Sequence, residues 1–263
     1  MGAAAFAELV GLIPAAGRAR RLGALPCSKE VLPIGVRSTP SGPVPRVACD
    51  CLLEGLRLAG AARALIVLRE EKQDVVRYLG AGEGCGVPIA YVRIAESASL
   101  PESLDRAHPF VSGRRVALGF PDVQFEPADA LAQVAVRQAE TGADLVLGLF
   151  PTPRPESTDM VELDAGGRVR RVEVRPRATS LRLCWVLAAY GPAFTEHLHA
   201  FVAEALQLGA AGETTEGELQ IGAVVASAVE RGLDVRGVEI EGGRFRDIGT
   251  PEDLAAVRGE VSP

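Results

Sequence analysis

The stretch Leu12-Ile-Pro-Ala-Ala-Gly-Arg-Ala-Arg-Arg-Leu22, followed by Ser28-Lys29-Glu30-Val-Leu-Pro33, decides how this chain reads. It runs from a short apolar strand into a loop of small residues and then into a cluster of cations. Small side chains at Ala15, Ala16 and Gly17 leave backbone N–H groups open to an anion, and Arg18, Arg20, Arg21 and Lys29 surround it with fixed positive charge. Open N–H groups beyond a strand end, with guanidinium and ammonium donors beside them, suit the polyphosphate of a nucleoside triphosphate.

Outward from this loop, strand-length apolar runs alternate with amphipathic helical stretches, the pattern of parallel β-α-β units. Strands are expected over residues 9–14, 62–68, 89–94 and 115–119, and helices over 47–58, 73–79 and 127–141, with a helix opening at 101–107. The run 144–150 is almost wholly apolar, as in a central strand covered on both faces. The second half changes character: residues 160–163 and 169–174 flank Asp164-Ala-Gly-Gly167, a hairpin signal. A strand at 183–190, helices at 192–208 and 218–231, and a strand at 235–240 follow. Thr250 opens the last helix as its N-cap, with Pro251 in the first turn. Proline-rich segments at 38–45 and 151–155 read as loops. The expected architecture is α/β: a Rossmann-like, mostly parallel twisted sheet flanked by helices, with an inserted antiparallel portion in the second half. One continuous domain over 1–263 is expected, its nucleotide-binding half at about 1–150 and its acceptor half at about 151–263.

Of 263 residues, 48% are hydrophobic and 24% charged, ordinary for a globular protein able to bury a sizeable core. A net charge of −6 gives no excess of cations for a nucleic-acid backbone. The five cysteines have no metal-ligand spacing and read as reduced thiols of a cytoplasmic protein. The apolar start at residues 1–6 lacks a basic region and is followed by Glu8, so no signal peptide is expected, and no run approaches membrane-helix length.

Three further segments carry chemistry. Ala117-Leu-Gly-Phe-Pro-Asp122 takes a strand into a loop ending in a carboxylate, a position suited to a metal at the carboxyl edge of a parallel sheet, although a turn or helix-cap aspartate reads equally well locally. Phe245-Arg-Asp247-Ile-Gly-Thr-Pro-Glu-Asp-Leu254 places a second aspartate on an extended segment before a capped helix. Glu173-Val-Arg175-Pro176 ends a strand with a cation that could meet a second phosphate, or belong to a solvated face rich in arginine.

Together the opening loop with Arg21, Ser28-Lys29-Glu30 with Leu32-Pro33, Pro121-Asp122 and Asp247-Ile-Gly-Thr-Pro-Glu-Asp-Leu254 resemble the sugar-phosphate nucleotidyltransferases, the family of glucose-1-phosphate thymidylyltransferase and UTP–glucose-1-phosphate uridylyltransferase, over residues 9–258. The resemblance implies an enzyme that joins a nucleoside triphosphate, dTTP or UTP favoured, to a sugar 1-phosphate and releases pyrophosphate. It implies Asp122 and Asp247 as Mg²⁺ ligands, Arg21 on the leaving β,γ-phosphates, Lys29 nearer the α-phosphate, and Arg175 on the sugar phosphate. No protein nucleophile is needed, and Cys27, His108, His197 and His199 form no evident triad. The implied partners are the two substrates, with no nucleic acid and no membrane; a homo-oligomer is compatible with this reading. A chain ending at Pro263 would also lack the C-terminal β-helix of some relatives.

The sequence departs from the family pattern at named places. Arg20 stands where a small Thr or Ser is usual, Arg175 replaces Lys, and Val174 replaces Glu, with Glu173 expected on the opposite strand face. Ser99-Leu-Pro-Glu-Ser-Leu104 contains no glycine where a glycine-rich segment is typical. A Rossmann dehydrogenase fits poorly, because the loop has one glycine where the dinucleotide fingerprint has three. The remaining alternatives are a cytidylyltransferase with a non-glucose acceptor phosphate and a non-catalytic, nucleotide-binding regulatory protein of the same fold.

Overall fold

The computed structural model describes residues 8–39, 42–210 and 218–260, so the start at residues 1–6 lies outside the described residues. In chain order the elements are β1 (Leu9–Ala15), β2 (Pro33–Thr39), β3 (Gly42–Val47), α1 (Asp50–Leu58), β4 (Arg63–Arg69), α2 (Gln73–Leu79), β5 (Ile89–Ile94), α3 (Leu100–Asp105), α4 (His108–Val111), β6 (Arg115–Gly119) and β7 (Val123–Glu126). The second half gives α5 (Ala130–Thr141), β8 (Leu145–Pro151), β9 (Asp159–Leu163), β10 (Val169–Val174), β11 (Leu183–Tyr190), α6 (Pro192–Ala210), α7 (Ile221–Glu230), β12 (Val235–Glu239), β13 (Arg244–Asp247) and α8 (Pro251–Glu260).

Nine strands form one α/β sheet. β5, β4, β1 and β6 run parallel, β11 lies antiparallel between β6 and β8, and β12 pairs parallel with β8. Period-2 alternation sends successive side chains to opposite faces. On β1, Ile13 and Ala15 face the layer holding Leu52, Leu56 and Leu131, from α1 and α5. Val10 and Leu12 face Leu104, Phe194, Val202 and Val224, from α3, α6 and α7. Both faces being covered explains why β1 and β8 read as near-continuous apolar runs.

Strand β11 positions the antiparallel insert. β8 pairs along the whole of one edge of β11, so β6 and β9 share the other, with Gly119 opposite Leu187 and Met160 opposite Cys184. β9 therefore starts about 10 Å beyond the end of β6, three residues along β11. The β9–β10 hairpin thus begins where β6 gives way to its carboxyl-edge loop, at Phe120-Pro121-Asp122.

The structure corrects several boundaries. Of the segment 38–45, the described residues 38–39 and 42–45 are strand and not loop: β2 pairs antiparallel with β3, with Pro43 and Pro45 opposite Ser38 and Val36. A two-stranded ribbon has a free outer edge, so prolines break no central ladder. The first helix begins at Asp50 instead of 47, because Val47 completes β3 and donates its N–H to Asp50 Oδ2 at 2.9 Å. α5 begins at Ala130 instead of 127 because β7 intervenes, and α7 at Ile221 instead of 218. At α8, Thr250 caps as read, its Oγ1 accepting the Asp253 N–H at 3.2 Å. No described helix is long and apolar enough to cross a membrane, and all five cysteines are free.

Candidate active site

The two aspartates singled out from sequence come together through a pairing between distant segments. β7 and β13 form an antiparallel ribbon with Val123 opposite Asp247, and the Ile248 N–H donates to the Asp122 carbonyl at 2.9 Å. Asp122, the residue before Val123, is thereby held beside Asp247.

The cationic loop is anchored to the same place. Ala19 adopts a left-handed conformation (φ 51°), which turns the chain into a single 3-10 turn over Arg20–Leu22. Leu22 then packs with Ile248, Ile34, Ala48 and Val257 in a small apolar cluster. Leu22 and Ile248 are the neighbours of Arg21 and Asp247, so this cluster sets the distance between guanidinium and carboxylate. A Cβ on Gly249 would lie 2.8 Å from Asp247 Oδ2 and 3.3 Å from Arg21 Nη2, so a bare backbone is required there. Ile248 is fully buried, and Ile248→Ala is expected to cost about 2–5 kcal/mol in denaturant unfolding while disturbing both flanks of the site.

Lys29 closes the cluster. Its Nζ donates to Asp122 Oδ2 in a very short contact and lies 3.9 Å from Asp247 Oδ1. The segment carrying Lys29 is clamped on both sides: Ser28 donates its N–H and Oγ–H to Asp74 at 2.5 and 2.7 Å, and Lys72 donates to Glu30 Oε1 at 2.6 Å. Lys72 also donates to the Ala15 carbonyl at 2.7 Å, tying the strand end to the same clamp. Burial pushes the Glu30 carboxyl up against the pull of Lys72.

Two cavities of about 880 and 360 Å³ share Pro14, Gly17, Arg18, Arg20, Asp122 and Glu218, and make one cleft over this cluster. Nothing lies within 4 Å of where a Cβ on Gly17 would stand, so its backbone faces open space. Arg21 and Lys29 line the smaller cavity; Ser99, Ser103 and Phe120 line the larger. The glycine-free segment at 99–104 is a capped helix start, with Ser99 Oγ accepting the Glu102 N–H and Glu102 Oε2 accepting the Ala98 N–H. Arg18 reaches across to Glu96 at 2.5 Å, and Arg69 joins the same carboxylate at 3.3 Å.

The electrostatics concentrate on Asp247. Burial, and then the neighbouring Asp122 charge, push its carboxyl up to about 6, against the opposing pull of Lys29 and Arg21. Its Oδ1 is buried and has no hydrogen-bond partner. The orphaned oxygen of Asp247, beside a second carboxylate and within the reach of Lys29 and Arg21, is a position that a further cation would satisfy.

Of the residues read from sequence, Gly17, Arg21, Lys29 and Asp122 line one cleft, and Asp247 stands behind that lining, beside Asp122 and 3.9 Å from Lys29 Nζ. Ala16 lines its larger part, whereas Ala15 is buried and contributes its carbonyl to Lys72. Arg175 is exposed at the end of β10, outside the cleft lining. Glu173 pairs with Arg171 at 2.9 Å. His108 and His199 stack on each other at 4.1 Å beside α6, and His197 bonds the Val224 carbonyl, so no histidine stands beside Cys27. Lys72, Asp74 and Glu30 are the supports that sequence reasoning missed. Among the described residues no group of three or more His, Cys, Asp or Glu could hold a metal ion.

No family model matches the chain. A glucose-1-phosphate thymidylyltransferase of Streptomyces antibioticus is 25% identical over 210 residues, covering 80% of this chain and 56% of the relative, so the chain spans about half the relative's length. A Bacillus anthracis structure assigned as a glucose-1-phosphate thymidylyltransferase, solved with sucrose, superposes with a TM-score of 0.79 at 19% identity, covering 97% of this chain and 95% of that one. A UDP-glucose pyrophosphorylase complexed with UDP-glucose gives a TM-score of 0.73 at 16% identity, covering 96% and 98%. The chain is similar to the sugar-phosphate nucleotidyltransferases in sequence over four-fifths of its length, and it has their fold.

Proposed function

We propose that the protein transfers a nucleotidyl group from a nucleoside triphosphate, dTTP or UTP favoured, to a sugar 1-phosphate, releasing pyrophosphate. The observation that carries this reading is the convergence of Arg21, Lys29 and Asp122 in one cleft with the bare backbone of Gly17, and of Asp247 against Lys29 and Arg21 beside it.

Both substrates are anionic, so the protein's work is positioning and charge neutralisation. The attacking phosphate oxygen already carries negative charge, and no general base is required. Gly17 and the turn after it present the backbone on which the triphosphate rests. Arg21, fixed by Leu22, stands ready to bind the pyrophosphate that leaves. Lys29 is held by the Ser28 and Glu30 clamps and is placed to neutralise the α-phosphate. Arg175 receives the acceptor phosphate from the β10 side. Asp122 and Asp247 fit a hard divalent cation: two carboxylates, one with an unpartnered buried oxygen, match the few protein ligands that Mg²⁺ takes alongside water and phosphate. When bound, Mg²⁺ neutralises and orients phosphate oxygens.

The test is pyrophosphate release with dTTP, UTP, CTP and GTP, each against a panel of sugar 1-phosphates and one polyol phosphate, with and without Mg²⁺. Turnover restricted to sugar 1-phosphates and lost on chelation is expected. Turnover with only the polyol phosphate, or nucleotide binding without turnover, overturns the proposal.

A further inference from the structure

We propose that Asp159 is the positioning residue for Arg175, setting where the acceptor-phosphate cation stands; this rests on the proposed role of Arg175. The register places Asp159 opposite Val174, the residue immediately before Arg175. Asp159 opens β9, whose next residue, Met160, pairs with Cys184 on β11, three residues along from the Leu187–Gly119 pair that ends β6.

Arg175 needs such a restraint. It has φ 43°, the left-handed region, and it precedes Pro176, which independently disfavours helical backbone at the residue before it. A non-glycine residue before proline does not adopt this conformation unless its surroundings impose it. Asp159, opposite Val174, is buried to 8% exposure; burial pushes its carboxyl above the ordinary value, against the pull of the Arg175 charge and of the Arg175 and Gly222 backbone N–H groups. One carboxylate thus joins the end of β10 to the first turn of α7.

Gly222 shows that this arrangement excludes other residues. A Cβ there would stand 2.5 Å from both Cγ and Oδ2 of Asp159, so α7 can approach only because residue 222 has no side chain. Asp159 Oδ1 remains buried without a partner. A buried carboxylate is an expensive way to pack β9 against β10 and α7, and the cation that follows its strand partner Val174 gives the placement a purpose.

The experiment compares Asp159→Ala, Asp159→Asn, Gly222→Ala, Arg175→Ala and the Asp159→Ala/Arg175→Ala double variant. Steady-state constants are measured for both substrates, and amide hydrogen exchange is followed over residues 172–178. Asp159→Ala and Gly222→Ala are expected to raise the acceptor KM about ten-fold or more while the nucleotide KM stays within about two-fold. Asn, which keeps an oxygen acceptor, should recover part of that loss. The double variant should be no worse than Arg175→Ala alone, because Asp159 acts through Arg175. Additive losses, or equal rises in both KM values, overturn the proposal. Exchange over 172–178 should accelerate in Asp159→Ala while β1 stays protected; unchanged exchange also overturns it. If exchange responds but Arg175→Ala leaves the acceptor KM untouched, the clasp stands and the acceptor role of Arg175 falls.

Discussion

Asp247→Asn is expected to lower kcat/KM about a thousand-fold while raising the melting temperature of the metal-free protein. The two effects have one cause. Asp247 carries charge in a place that resists it, since burial and the Asp122 carboxylate together raise its pKa from 3.8 to about 6. A carboxyl whose folded pKa lies above its unfolded value destabilises the fold wherever it is ionised, so the penalty is absent in acid and grows as pH rises through the unfolded value toward neutrality. Removing that charge at pH 7 should stabilise by about 1 kcal/mol, a figure reduced for screening because the side chain is 38% exposed. The same substitution removes half of the proposed ligand pair, and transition-state neutralisation at such sites is worth factors of this size. Thermal unfolding in chelator and steady-state kinetics in Mg²⁺ check the two halves separately. A variant that loses activity and stability together would mean that Asp247 is a structural aspartate. Addition of Mg²⁺ should raise the melting temperature of the wild type more than that of the variant.

The parts of this fold that were legible in the sequence share a physical origin: strong local signals. β1, β8 and β11 are apolar over a full strand length, and α8 has its Thr250 cap and Pro251 start. What stayed hidden depends on distant partners. β7 and β13 are four residues each and lie more than a hundred positions apart; β7 alternates over a run too short to announce a strand, and β13 hardly alternates at all. Their pairing is nevertheless what makes Asp122 and Asp247 neighbours; from local sequence Asp122 reads equally well as a turn residue. The β2–β3 hairpin was hidden for another reason, because Pro43 and Pro45 suggest a loop unless the strand is known to have a free edge. Arg175 was legible as a residue but not as a conformation. Nothing in Val174-Arg175-Pro176 announces a left-handed arginine, since a residue before proline ordinarily takes extended backbone.

Lys72 was the least legible of all, and its replacement should have the largest effect on stability. It belongs to Arg69-Glu-Glu-Lys72, which reads as a solvated charged turn, yet it is 8% exposed and its partner Glu30 is 6% exposed. Its ammonium satisfies Glu30 Oε1 and the Ala15 carbonyl, while Glu30 Oε2 is already buried without a partner. Lys72→Met keeps most of the side-chain volume but strands a buried carboxylate whose desolvation that ammonium chiefly offsets. Breaking a buried pair from one side costs about 3–5 kcal/mol, whereas replacing both partners with apolar groups of similar size is often neutral. Lys72→Met is therefore expected to lose about 3–5 kcal/mol at pH 7, and Lys72→Met/Glu30→Leu to recover most of it. The single variant should also regain stability as pH falls, because protonation removes the stranded charge, with the Glu30 carboxyl already pushed above its ordinary value by burial. Activity need not follow stability in the double variant. The ammonium also ties Ala15 to the segment carrying Lys29, so the restored fold should still bind nucleoside triphosphate more weakly than the wild type. Denaturant unfolding across pH, with nucleotide titration of the double variant, measures both. Full recovery of nucleotide affinity would mean that the clamp serves folding alone.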